Sequence, residues 1–163
     1  MHGFGHCIWL TLPQPCVAAV ISLPMEIPHC FYRISVKALI LDESRTKFLV
    51  VQEDNGKWEL PGGGMDWGQN EEATIIRELR EEMSVPVKNV GTVPLYFFTD
   101  KNDDGRWYAN VLYETEVEHL NFVPSNECVA VKFVTGYEAK YLNAFSNVHI
   151  LGEQFDPVRH VRK

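Results

Sequence analysis

The sequence predicts a single α/β domain, and three observations carry that expectation. Runs rich in branched apolar residues lie on both sides of one strongly marked helix, and a second helical pattern follows them. At 163 residues, 45% of them hydrophobic, the chain can bury one good core but has no room for two. No internal repeat, low-complexity tract or long linker divides it.

Residues 1–30 read differently from the rest and are expected to form a separate N-terminal extension, with the domain spanning 31–163. Ile8 to Leu23 is apolar, yet Pro13 and Pro15 interrupt it, it is too short to span a bilayer comfortably, and no Lys or Arg precedes it. Neither a membrane span nor a signal peptide is expected. Two readings stay open: a poorly constrained leader, with Met25 as a second possible start, or an arm whose Phe4, Trp9, Val17, Val20 and Ile21 pack on a partner subunit to make a homodimer.

From Phe31 the elements follow in order. Ile34 to Leu41 and Phe48 to Val51 read as strands joined by a turn at Asp42-Glu43-Ser44-Arg45. Asn55-Gly56 turns the chain into Trp58-Glu59-Leu60-Pro61, which delivers it to a glycine loop at Gly62-Gly63-Gly64. Asn70 is a good N-cap, Glu71 and Glu72 fall where a first helical turn welcomes negative charge, and Pro86 stops the helix. Val93 to Thr99 reads as a strand. Asp100 to Gly105 resembles the first half of an EF-hand loop, but Val111 stands where a bidentate glutamate is required, so a hairpin turn is expected. Trp107 to Val117 and Cys128 to Val134 read as strands, with Pro124-Ser125-Asn126 as the loop before the latter. Gly136 to Phe145 is expected to be the second helix, burying Tyr137, Tyr141, Leu142 and Phe145, and the basic tail from Pro157 is expected to be mobile.

Composition narrows function. A net charge of −7 argues against a general nucleic-acid binder, which needs a basic face to neutralise phosphates. An acidic protein that handles nucleotides must bring the phosphates in with metal. The four cysteines, at positions 7, 16, 30 and 128, show no C-x-x-C pair and no zinc spacing, so free thiols in a reducing, cytoplasmic compartment are expected. His2, His6 and Cys7 read as incidental.

The central helix carries the chemistry. At about 100° per residue, Glu78, Glu81 and Glu82 share one arc while Ile75, Ile76, Leu79 and Met83 form another face. Carboxylates three and four residues apart repel, and Arg77 and Arg80 point away from the middle of the acidic arc, so an external cation is expected. Clustered hard oxygens suit Mg²⁺ or Mn²⁺, and a side-chain-free loop in front lets backbone carbonyls and amides approach a metal or phosphate. The opposing reading is a plain solvated helix face.

From Gly63 to Val85 the stretch resembles the Nudix hydrolase signature, G-x5-E-x7-R-E-U-x-E-E-x-G-U, in which U is bulky and apolar. Gly63 supplies the first glycine, Arg77-Glu78-Leu79 the R-E-U, Glu81-Glu82 the paired glutamates and Val85 the last apolar position. Trp58-x-Leu60-Pro61-Gly62-Gly63 also resembles the family's lead-in. Gln69 and Ser84 depart from the pattern, which has glutamate and glycine there. Glutamine can still accept a hydrogen bond from Arg77 without charge assistance, and serine just past the helix end costs about 1 kcal/mol in left-handed backbone.

The resemblance implies the Nudix fold, a mixed sheet sandwiched between helices, and divalent-metal-dependent hydrolysis of a small-molecule nucleoside diphosphate linked to another moiety. It implies Glu78, Glu81 and Glu82 as metal ligands, with a carbonyl of Gly62 or Gly63, and Arg77 as the residue that orients the glutamates. The general base stays open between Glu78 and Glu127, with Glu114 and Glu116 behind Glu127. Phe97, Trp107 and Tyr108 are the aromatic candidates for stacking on a base. Gln52 and Glu53 stand where many relatives carry basic side chains, which leaves less to hold an extended triphosphate. The competing class is a Nudix-like module that senses a nucleotide without cleaving it. A diphosphate isomerase would need a catalytic cysteine, and neither Cys30 nor Cys128 has a supporting motif.

Overall fold

The computed structural model describes residues 31–161 apart from Asp104. The expected N-terminal extension, including its subunit-contacting arm and the His2, His6 and Cys7 group, lies outside the described residues.

Two sheets form the body. Strands β1 (Arg33–Leu39), β4 (Gly62–Gly64), β5 (Val87–Lys101) and β6 (Trp107–Val117) make a mixed sheet in the order β4-β1-β6-β5. β1 runs parallel to β6 and antiparallel to β4. Strands β2 (Phe48–Gln52), β3 (Trp58–Glu59) and β7 (Ala130–Val134) make an antiparallel sheet in the order β3-β2-β7. The turn between β1 and β2 is held by the Asp42 carboxylate, which accepts the backbone N–H groups of Thr46 and Lys47 at 3.0 Å each.

Period-two alternation divides the apolar side chains between two cores. Val36, Ala38 and Ile40, with Leu49 and Val51 of β2, pack against Ile75, Leu79 and Met83 of helix α1 (Glu71–Met83). Leu39, Phe48, Val50, Tyr96, Phe98 and Leu112 pack against Val148 and Leu151 of helix α3 (Ser146–Gln154). Helices therefore cover both faces, in the expected α/β/α sandwich. Lys37 lies between Val36 and Ala38 and is buried all the same. Among the described residues no helix is long and apolar enough to cross a membrane.

Helix α1 is bounded as its sequence dictates. The Asn70 side chain accepts the Ala73 N–H at 2.9 Å, and Ser84 closes the helix in left-handed backbone at φ 56°, ψ 31°. Ile76, expected on the buried face, is only half-buried. β6 has the expected bounds, whereas β5 begins at Val87 and β7 at Ala130.

The C-terminal third corrects two expectations. Helix α2 covers only Gly136–Ala139, its start fixed by a capping box between Thr135 and Glu138. The chain then turns back because residues 143–145 pair with β3: the Trp58 N–H donates to the Asn143 carbonyl, and the Phe145 N–H to the Trp58 carbonyl, each at 2.9 Å. Tyr137 and Tyr141, expected in the core, are 72% and 73% exposed. The buried residue of α2 is Ala139, against Gly152 of α3, where a Cβ would come within 2.8 Å of the Ala139 Cβ. The tail is not a loose end as far as residue 161: Pro157–His160 forms a 3-10 turn, and the buried His160 Nε2 meets the Tyr96 hydroxyl at 2.8 Å while its ring stacks on Phe155.

The left-handed Ser84 yields a test. Ser84→Gly removes the Cβ strain at the helix end and is expected to stabilise the protein by about 0.5–1 kcal/mol in denaturant unfolding. No change or a loss would mean that the serine side chain compensates the strain.

Candidate active site

A cleft of about 520 Å³ opens where β4, the flank of α1, β3 and the start of α3 converge. Its walls include Lys37, Glu53, Glu59, Gly62, Gly63, Glu78, Glu82 and Asn147.

The glycines on its floor answer to different constraints. Gly62 has φ 105°, and a Cβ there would lie 2.5 Å from the Val36 carbonyl oxygen, so the β4–β1 pairing itself excludes a side chain. At Gly63 a Cβ would lie 2.5 Å from Glu78 Oε1 and 2.9 Å from Oε2. The Glu78 carboxylate thus rests directly on the strand backbone.

Arg77 fixes the outer edge. Rather than turning away from the glutamates, its guanidinium folds back between them, pairing with Glu78 at 2.8 Å and Glu81 at 3.0 Å. It also donates to the Gly64 carbonyl at 3.1 Å and to Gln69 Oε1 at 3.4 Å. Gln69 therefore keeps the hydrogen bond expected of that position, at a long distance, and also receives the Thr74 hydroxyl at 3.2 Å. Glu81 is largely exposed and does not line the cleft. Of the three helix glutamates, Glu78 and Glu82 do.

Two residues that sequence reasoning passed over stand at the centre. The Lys37 ammonium pairs with Glu59 at 2.7 Å and donates to the Gly62 carbonyl. Burial works to lower its pKa, but the nearby charges of Glu59, Glu82 and Glu78 win and hold it above its ordinary value. Glu59 responds in kind: burial opposes its ionisation, yet Lys37 and the Asn147 amide, which donates at 3.3 Å, keep its carboxyl below the usual range. The signals were a lone charge inside an apolar strand and a glutamate alternating between Trp58 and Leu60.

The remaining carboxyls are under strain. Glu82 accepts the Gly62 N–H at 3.1 Å, but burial pushes its carboxyl up to about 8 despite that bond and Lys37. Glu53 rises to about 7, first through burial and then through its contact with Glu59. Glu78 is raised by burial against the pull of Arg77 and Lys37. In all three, burial disfavours the charged form more than the neighbouring cations and amides favour it. Among the described residues no three His, Cys, Asp or Glu side chains already form a cage around one point.

Glu127 is exposed and lines the cleft from the loop before β7, not from the strand itself. That loop is tied down by the Ser125 hydroxyl, which donates to the Glu82 carbonyl at 2.7 Å. Glu114 is engaged elsewhere, paired with Arg45 at 2.7 Å, and neither it nor Glu116 lines the cleft. Of the three aromatic candidates, Tyr108 lines the cleft, as does Phe145. Trp107 lines an adjoining pocket with Phe31 and Arg33, and Phe97 is exposed and lines neither. Asp100, from the hairpin that resembled a calcium loop, accepts the Asn110 amide at 2.7 Å and the Ser146 hydroxyl at 2.6 Å across the cleft wall.

Known proteins resemble this chain in sequence and in fold. A match to the NUDIX domain spans residues 31–151. The chain is 36% identical over 66 residues to "Nucleoside diphosphate-linked moiety X motif 6" of Xenopus laevis, a stretch covering 38% of this chain and 30% of that protein. It is 30% identical over 59 residues to the RNA pyrophosphohydrolase of Ruthia magnifica subsp. Calyptogena magnifica, covering 36% and 33% of the two chains. The matched stretches thus span about a third of these curated relatives. Among solved structures, the fold is similar to that of the E. coli ORF135 protein, with a TM-score of 0.64 at 22% identity over 80% of this chain and 93% of the other. It is also similar to a MutT NUDIX hydrolase from Burkholderia pseudomallei, with a TM-score of 0.57 at 19% identity over 77% and 99%.

The close seat of Glu78 on Gly63 can be tested. In Gly63→Ala the added methyl meets only the end of a flexible side chain, so the fold should survive while the carboxylate swings out. Mn²⁺ affinity is expected to fall about 10-fold or more, the scale of losing a supporting contact at a metal site. Unchanged affinity would show that the seat is irrelevant to metal.

Proposed function

Because the chain belongs to the Nudix hydrolase family, we propose that it is a divalent-metal-dependent pyrophosphohydrolase that cleaves the diphosphate linkage of a nucleoside diphosphate derivative. The observation that carries this reading is the gathering of Glu78, Glu82 and Glu53 in one cleft against backbone that lacks side chains, with burial holding each carboxyl above its usual range.

The donor set fits a hard divalent ion. Carboxylate and carbonyl oxygens are the ligands Mg²⁺ and Mn²⁺ take, and the raised carboxyls of Glu78 and Glu82 are those a further cation would bring down. Glu78 and Glu82 would hold it, with a backbone carbonyl of Gly62 or Gly63. Glu81 would act at one remove, through Arg77. When bound, the ion supplies charge stabilisation on the diphosphate.

The chain's own residues do the rest. Arg77 locks the rotamer of Glu78. The Gly62 N–H and the Ser125 bond fix Glu82 and the end of α1. A general base must lie within reach of the attacking water with a pKa near the working pH. Glu78 and Glu127 remain the candidates, and Glu53 joins them through its value near 7. Tyr108 is the stacking candidate within the cleft, and Trp107 the one for a moiety reaching into the adjoining pocket. The cleft's basic lining is Arg33 and Lys37, and Arg33 is within 3.8 Å of Asp66. That sparse basic lining favours a compact diphosphate over an extended triphosphate. A cytoplasmic location and a homodimer belong to the same proposal.

The test is nucleotide or phosphate release from a panel of nucleoside diphosphate derivatives in Mg²⁺ or Mn²⁺, with Glu82→Gln alongside. Turnover should fall about 100-fold or more in the variant, the scale of removing one electrostatic stabiliser of the transition state. Ligand-dependent thermal stabilisation with no turnover of any compound would replace the hydrolase with a nucleotide-sensing module, the reading that Gln69 favours.

A further inference from the structure

Lys37 has no ordinary role in a sheet. It lies on β1, paired on both sides by β4 and β6, and is 3% exposed, so its ammonium cannot reach bulk water as surface lysines do. Its partners are the Gly62 carbonyl and the Glu59 carboxylate, with the charges of Glu82 and Glu78 close enough to act on it. Carbonyl and carboxylate oxygens around one point, in an acidic cluster, are the surroundings of a bound hard cation. The ammonium stands among them.

We infer that Lys37 is a resident cation of the carboxylate cluster: its ammonium holds the inner position, between the Gly62 carbonyl and Glu59, that a divalent ion would otherwise take. The inference rests on reading the cluster as a metal site and deepens it. An ammonium supplies one positive charge without exchanging with solvent, so the inner carboxylates stay assembled when metal is scarce. Exchangeable ions are then confined to the outer side, where Glu78 meets Gly63, Glu82 lines the cleft and Glu127 stands at the rim. Asn147 supports the arrangement by donating to Glu59, which leaves its own buried Oδ1 with no hydrogen-bond partner in the structure.

The experiment compares the full chain with Lys37→Met and Lys37→Gln. Bound Mn²⁺ is counted by electron paramagnetic resonance of the free ion, and thermal stability is measured with and without Mn²⁺. Both variants should bind one more Mn²⁺ per chain than the unsubstituted protein and gain more thermal stability from it. An unchanged count with an unchanged gain would overturn the inference. Should either variant be unfolded without metal, recovery of its circular dichroism on adding Mn²⁺ supports the inference. Failure of both to fold in Mn²⁺ contradicts it. Turnover is read separately: an inactive parent whose variants gain an ion keeps this assignment and discards the hydrolase, and an active parent whose variants gain none does the reverse.

Discussion

Carboxylates repel one another, and this fold crowds several of them into one cleft. Glu78 and Glu82 descend from α1, while Glu53 and Glu59 arrive from the end of β2 and from β3. Such a group is stable only where fixed cations and amide donors oppose it, because burial removes the water that would otherwise screen it. Arg77 serves the outer edge and Lys37 the inner one, each by an ion pair shorter than 3 Å. Neither outweighs burial at Glu82 and Glu53, whose carboxyls stay above their usual range. A further cation would favour their ionised forms and bring those values down.

The scaffold serves this constraint. β4 has no side chains, so α1 can approach until a carboxylate rests on the strand backbone. Pairing of β4 with β1 then brings Lys37 opposite Gly62 in register. The loop before β7 is drawn to the same place by three bonds: Val123 N–H to the Met83 carbonyl, Ser125 hydroxyl to the Glu82 carbonyl, and Asp54 N–H to the Asn126 carbonyl. Glu127 is delivered to the rim by these contacts rather than by a strand.

What could be read in advance follows a physical rule. Asn70, Ser84 and Pro86 act within one turn of helix, so the limits of α1 were legible from residues alone. The Gln69–Arg77 contact was legible through the family resemblance, and the helix and its cap hold it in place over eight residues. Lys37 and Glu59 were visible as charges out of place, but alternation names a face and not the neighbour across it, and their partner elements are set by tertiary pairing. The helical pattern over 136–145 was present in the chemistry and was overruled by the pairing of residues 143–145 with Trp58. His160 looked like part of a basic tail because Tyr96, which holds it, lies 64 residues away.

The central claim is that divalent ions are bound between the glycine strand and α1. A second and larger cleft, about 880 Å³, offers an alternative at Asp42, Glu43, Glu114, Glu116 and His119. The most direct measurement is paramagnetic broadening of the ¹H–¹⁵N spectrum as Mn²⁺ is added in substoichiometric steps. The account predicts that the amides of Gly62, Gly63, Glu78 and Glu82 broaden first. Initial broadening at Asp42, Glu43 and His119, with the glycine strand untouched, would contradict it.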